Sequence, residues 1–214
     1  MKKITLYFLF FLLTSNLLSQ KFEGSIKYTL DYELPEIMEP QRSMLPNEMI
    51  TYCKKDYSRV EQKTAMGDQI VISNSKSGES TLLMNMMGQK MAIEVSNEEN
   101  KETSTNKPSI IYAEESKNIA GYLCKKAIYT IYNEQDQDSV AIDVFYSEEI
   151  SPSFNSQFKH LDGFPLEYAI NTNGMTITFL AIEITNEKLS KDLFLIPNDY
   201  QKLSLEDFKS MMGQ

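Results

Sequence analysis

The stretch from Phe22 to Leu34 limits the fold more than any other part of the chain. Phe22, Gly24, Ile26, Tyr28, Leu30, Tyr32 and Leu34 share one face of an extended strand, and Glu23, Ser25, Lys27, Thr29, Asp31 and Glu33 share the other. A period of two with one oily and one wet face belongs to antiparallel sheet, because the strands of parallel sheets are covered on both faces. The run exceeds the common strand length of about 5–6 residues, which suits a barrel or a strongly curved sheet.

The rest of the chain repeats this theme in hairpins. Met49–Cys53 and Tyr57–Lys63 flank the polar turn Lys54-Lys55-Asp56, and Asp68–Ser73 leads to a turn ending at Gly78. Thr81–Met86 and Met91–Val95 bracket Gly88, and Lys125–Tyr132 pairs in sequence with Ser139–Tyr146. Phe164–Thr172 and Met175–Thr185 flank Asn173-Gly174, the strongest short hairpin signal, through a type I′ turn. Between these runs, Pro35–Asn47 carries three prolines and reads as irregular chain with at most one helical turn. Ser96–Ser109 and the acidic stretch up to Asn118 read as solvated loop, and Ser147–Leu161 as polar irregular chain or a short helix. Near the end, Ser204 with Asp207 three positions on starts a short helix whose Leu205, Phe208, Met211 and Met212 share a face. The fold class expected is mainly β: a single strongly curved antiparallel sheet with short covering helices, including a C-terminal one.

Residues 1–20 stand apart. Lys2 and Lys3 precede the apolar run Ile4–Leu13, and a small polar exit follows up to Gln20. This is the build of a cleaved signal peptide, and the run is about half of the roughly 20 apolar residues that a membrane span needs. Residues 21–214 are then a single exported domain with no transmembrane span after cleavage. Loss of the leader removes two lysines and no acids, taking the formal charge from −9 to −11. Such an acidic surface repels phosphates, so nucleic acid is not expected as a partner. Cys53 and Cys124 both fall in the exported part, where a disulfide can persist. A bond between them and a pair of buried free thiols fit the sequence equally well. No Cys-x-x-Cys spacing points to redox chemistry.

Four blocks then occur in a telling order. Ile119-Ala120-Gly121-Tyr122-Leu123-Cys124 is followed by Phe145-Tyr146-Ser147-Glu148, then by Gly163-Phe164-Pro165-Leu166, then by Ile196-Pro197-Asn198-Asp199-Tyr200. Tyr57-Ser58-Arg59-Val60-Glu61 precedes them. Together they resemble the domain of unknown function 4412 family, exported proteins of Gram-negative bacteria related to the GLPGLI family. Gly163-Phe164-Pro165-Leu166 stands where GLPGLI members carry their name motif, so the sister family is the better fit. The resemblance implies the LolA-like lipoprotein-carrier fold, an incomplete barrel over an apolar cavity, and a periplasmic location.

Candidate chemistry is sparse. Leu82, Met84 and Met86 share a strand face, with Met91 across the turn and Met38, Met44 and Met66 elsewhere in the first half. Core filling, an adaptable apolar cavity and a copper(I) site each fit such thioethers. The absence of His or Cys in the cluster weighs against the metal. His160 is the sole histidine and has no nucleophile motif beside it. Asp136 and Asp138 lack the glycine and closing glutamate of a calcium loop. No catalytic set, metal site or cofactor is therefore expected. The leading expectation is a non-enzymatic binder of a lipid or lipoprotein acyl chain, lined by Ile26, Tyr28, Leu30, Leu82, Met84, Met86, Ile177 and Phe179. The alternative is an envelope protein–protein interaction module with a filled core, acting through loops such as Ser96–Ser109.

Overall fold

A computed structural model describes residues 22–65, 67–86, 88–102, 107–133, 138–172 and 174–211, with the side chains of 86, 100–102, 133 and 138 excepted. The expected leader, Met66, Asp136, Asn173 and Met212 lie outside the described residues, so the readings placed on them stand as expectations.

The expected alternation is realised as a sheet of twelve strands. Strands β1 (Gly24–Glu33), β2 (Glu48–Lys54), β3 (Tyr57–Thr64), β4 (Gly67–Asn74), β5 (Ser80–Met86) and β6 (Gln89–Val95) form a meander. Strands β7 (Ser109–Ile119), β8 (Tyr122–Asn133), β9 (Asp138–Ser147), β10 (Phe164–Thr172) and β11 (Met175–Asn186) form a second one. Pairing of β1 with β11 joins the two, and β12 (Gln201–Ser204) adds to β6. The order across the sheet is β12-β6-β5-β4-β3-β2-β1-β11-β10-β9-β8-β7. Every pairing is antiparallel except β6 with β12, which is parallel, and β7 and β12 leave the sheet open rather than closed into a barrel.

Curvature follows from what the strands share. Strands β4 and β10 are five places apart, about 24 Å if the sheet were flat. Yet Val71 of β4 and Tyr168 of β10 line the same cavity. The sheet therefore curls into a bowl, with β1 along its bottom. Residues Ile26, Tyr28, Leu30 and Tyr32 of β1 point inward and are buried, as the sequence pattern requires.

Two packing clusters hold the bowl. The larger lies inside, on β1, β2 and β8–β11, and it includes Ile150, Phe154, Phe158 and Leu161 from the connection between β9 and β10. This connection, with one 3₁₀ turn at Pro152–Phe154, reaches into the bowl as a plug rather than lying on the surface as its polar composition suggests. The smaller cluster lies on the outer face. Ile72, Leu83 and Ala92 meet Leu189 and Phe194 of the strap that runs from β11 to β12, with Ile196 and Tyr200 packed beside them. Lys54 Nζ donates to the Leu189 carbonyl at 2.7 Å and Arg59 Nη1 to the Leu193 carbonyl at 2.8 Å, fixing the strap against β2 and β3.

Several local readings change. The acidic stretch before Asn118 is the edge strand β7, where Glu114, Glu115 and Ser116 are all exposed. An edge strand tolerates charge because solvent reaches it, and charge there blocks unwanted pairing. Ser96–Ser109 is not all loop: α1 (Asn97–Glu102) begins with a reciprocal cap, Ser96 N donating to Glu99 Oε2 at 2.7 Å and Glu99 N to Ser96 Oγ at 3.2 Å. Pro35–Asn47 contains a 3₁₀ helix over Glu36–Met44, longer than the single turn expected. The C-terminal helix α2 (Leu205–Met211) is capped as read, with Asp207 N donating to Ser204 Oγ at 3.0 Å.

Gly24 sits where β1 is pressed against β11, so a Cβ there would collide with the Thr185 carbonyl oxygen. Gly24→Ala should therefore lower stability by about 1–3 kcal/mol, read from urea unfolding followed by circular dichroism.

Candidate functional site: a half-plugged bowl

The plug fills only the β8–β11 side of the bowl. Phe158 packs edge-on against Tyr129 at 5.1 Å and Tyr168 at 4.9 Å, and Tyr168 stacks on Phe179 at 4.7 Å. These contacts make an aromatic wall across the bowl. Tyr28 seals its foot, its hydroxyl donating to the Pro165 carbonyl at 2.7 Å. A buried phenol needs such an acceptor, since an unpaired one costs about 1–3 kcal/mol.

On the other side of that wall lies a cavity of about 270 Å³. Its floor is the inner face of β2, β3 and β4 (Met49, Thr51, Ser58, Val60, Gln62, Gln69, Val71, Ser73), and its roof is the plug from Phe154 to Gln157. It continues into a second space of about 490 Å³ toward Ser80 and Asn97, and the two share Ser58, Val71, Ser73 and Phe154. Ligand pockets commonly hold about 300–1,000 Å³, so the joined trough is of binding size.

The structure separates the residues expected to line such a site. Tyr28 and Phe179 line the cavity. Ile26 and Leu30 are buried in the packed cluster instead, and Ile177 packs against it opposite Tyr32. Leu82 and Met84 lie on β5 directly opposite Val71 and Gln69, continuing the same floor one strand further out. The side chain of Met86 lies outside the described set. Met84 faces Met91 across β5 and β6, whereas Met38 and Met44 ride on the 3₁₀ helix. Among the described residues no group of three or more His, Cys, Asp or Glu could hold a metal ion. The polar floor residues on β3 and β4 escaped the sequence reading. Their signal was a polar–Val–polar pattern in the same phase on two successive strands.

Where the sequence left a disulfide open, the structure has Cys53 and Cys124 as free thiols, both fully buried. Burial pushes the Cys53 thiol well up and that of Cys124 from 9.0 to about 11. Burial likewise raises the Tyr28 and Tyr168 phenols. His160 is exposed, with a left-handed backbone at φ 68°, and does not line the trough. The filled core expected of an interaction module is met on one side of the bowl and not on the other.

No family model matches the chain, and no curated protein matches it. Among solved structures it is similar to PNGF-II, with a TM-score of 0.55 and 18% identity over 90% of this chain and 33% of that one. What they share is the fold. The chain spans only about a third of the length of that protein. More distant are the lipoprotein LppX of Mycobacterium tuberculosis, at TM-score 0.42 and 8% identity over 78% of this chain and 89% of that one, and a β-barrel-like protein of domain of unknown function 1849 from Brucella abortus. The latter has a TM-score of 0.40 and 6% identity over 78% and 99% of the two chains. Likenesses that weak carry no argument about this chain.

Two outcomes are expected. Phe158→Ala removes the centre of the aromatic wall and should cost about 3–5 kcal/mol, measured by thermal or urea unfolding. The raised thiols favour the protonated folded state, so their contribution is complete below pH 9.0 and is lost as pH climbs through about 11. An alkaline titration by circular dichroism should show unfolding in that window, and iodoacetamide should label both cysteines only in denaturant.

Proposed function

We propose that this chain is an exported, non-enzymatic carrier of the LolA-like kind, holding a lipid or acyl chain in the trough between β2–β5 and the plug. One observation carries the reading: the protein's own side chains fill one side of the bowl and leave a walled, partly apolar trough on the other. The strand order and open edge suit an incomplete barrel, and the blocks around Gly121, Tyr146, Phe164 and Tyr200 support kinship with the domain of unknown function 4412 and GLPGLI families. Among the described residues no helix is long and apolar enough to cross a membrane. A cleaved leader would place the carrier in the periplasm, with another envelope protein to receive its cargo.

Native mass spectrometry of the full chain, purified gently and then mixed with single-chain lipids, tests this reading. Adducts of lipid mass are expected, and Val71→Trp, which narrows the trough beneath the plug, should weaken binding about tenfold or more. Repeated absence of any adduct would overturn the carrier reading.

A further inference from the structure

The register of β2 to β6 arranges the bowl's floor in three rows that cross the strands. The middle row is Thr51, Val60, Val71, Leu82 and Ile93, nearly all apolar. It spans about 19 Å at the usual strand spacing; Thr51, Val60 and Val71 line the cavity, half-buried Leu82 extends the row, and Ile93 closes it as a fully buried end. On one side runs a hydroxyl row, Ser58 opposite Ser73 and Ser73 opposite Ser80. On the other, Gln62 faces Gln69, and Met84 and Met91 continue the line. An apolar track is thus bordered by hydroxyls on one flank and amides on the other.

Charge is kept away from this track. Among the described residues no Asp, Glu, Lys, Arg or His lines the deeper cavity, and the charged lining residues Glu79 and Lys159 belong to the outer space. The side chains of Thr51, Ser58, Gln62, Gln69 and Ser73 form no hydrogen bond with any described residue. Thr51 is only 2% exposed and Ser58 7%, yet among the described residues neither hydroxyl oxygen is fully enclosed without a partner. Their hydroxyls therefore face into the cavity, available to whatever enters it.

Resting on the carrier reading, we infer that the trough selects an uncharged single-chain amphiphile whose head bears hydroxyl or amide groups, and discriminates against ionised lipids. The apolar row takes the chain, and the flanking serines and glutamines exchange hydrogen bonds with the head. A carboxylate or phosphate brought to the same place would lose its hydration with no counter-charge to replace it, whereas a neutral polar head is compensated by hydrogen bonds.

Isothermal titration of the full chain with monolauroylglycerol and with laurate, at a pH where laurate is ionised, separates the possibilities. The glycerol ester is expected to bind about tenfold or more tightly than laurate. Gln69→Lys, at an exposed floor position, should reverse that preference by supplying a cation, and Ser58→Ala with Ser73→Ala should shrink it while laurate affinity stays unchanged. Equal or tighter binding of laurate by the unaltered chain overturns the inference and leaves the carrier reading standing. Binding of neither lipid overturns both.

Discussion

Whether a curled sheet becomes a solid domain or a vessel depends on what fills its inner face. Here one connection decides it. Residues 150–161 turn Ile150, Phe154, Phe158 and Leu161 into the bowl, and their contacts with β8 to β11 stop at the Tyr168–Phe179 stack. The sheet needs this filling, because a concave apolar face that meets only water gives no stabilisation. It needs it on one side only, since the outer face of β3 to β6 has its own cover in the strap carrying Leu189 and Phe194. Each half of the sheet is thus stabilised from a different face. That division lets the inner surface of β3 to β5 stay open to the trough while the outer face is covered.

The same division explains why the recognised sequence blocks need not be a binding motif in themselves. Arg59 is tied to the strap through the Leu193 carbonyl and to Glu61 at 2.5 Å, while its neighbours Ser58 and Val60 face the cavity. Ile196 and Tyr200 belong to the outer cluster. Gly163 is buried against Ser147 and Tyr146, where a Cβ would come within 2.6 Å of the Tyr146 ring, and Phe164 and Pro165 beside it form part of the wall. These residues hold two layers together around the trough. Charged pairs such as Lys125 with Glu148 at 2.8 Å lie at exposed positions where such pairs contribute little, about 0–1 kcal/mol each.

Much of the architecture was legible in the sequence, because period-two patterning, Asn-Gly and a serine cap are local signals with direct structural consequences. Gly174 has the positive φ, 73°, that its hairpin requires. Strand β7 was hidden because most of its residues are exposed and its register shifts between Tyr112 and Ser116, so alternation has little to record. The plug was hidden because Phe154 and Phe158 sit among serines and asparagines, and their burial depends on a bowl built by residues far away in the chain. The trough was half visible: alternation marked Tyr28 and Phe179 as inward but could not say that the plug would claim the space over Ile26 and Leu30. Polar residues at inward positions on β3 and β4 looked like weak strand pattern. They make sense only once the register sets them side by side.

The final strand has a temporal meaning as well. Because β12 pairs with β6 across the whole second meander, the backbone donors and acceptors along that border wait for a partner until residues 201–204 have been made. A sheet still lacking residues 201–204 therefore has a raw margin. The arrival of residues 201–204, rather than any earlier hairpin, is the moment at which this bowl acquires its second rim.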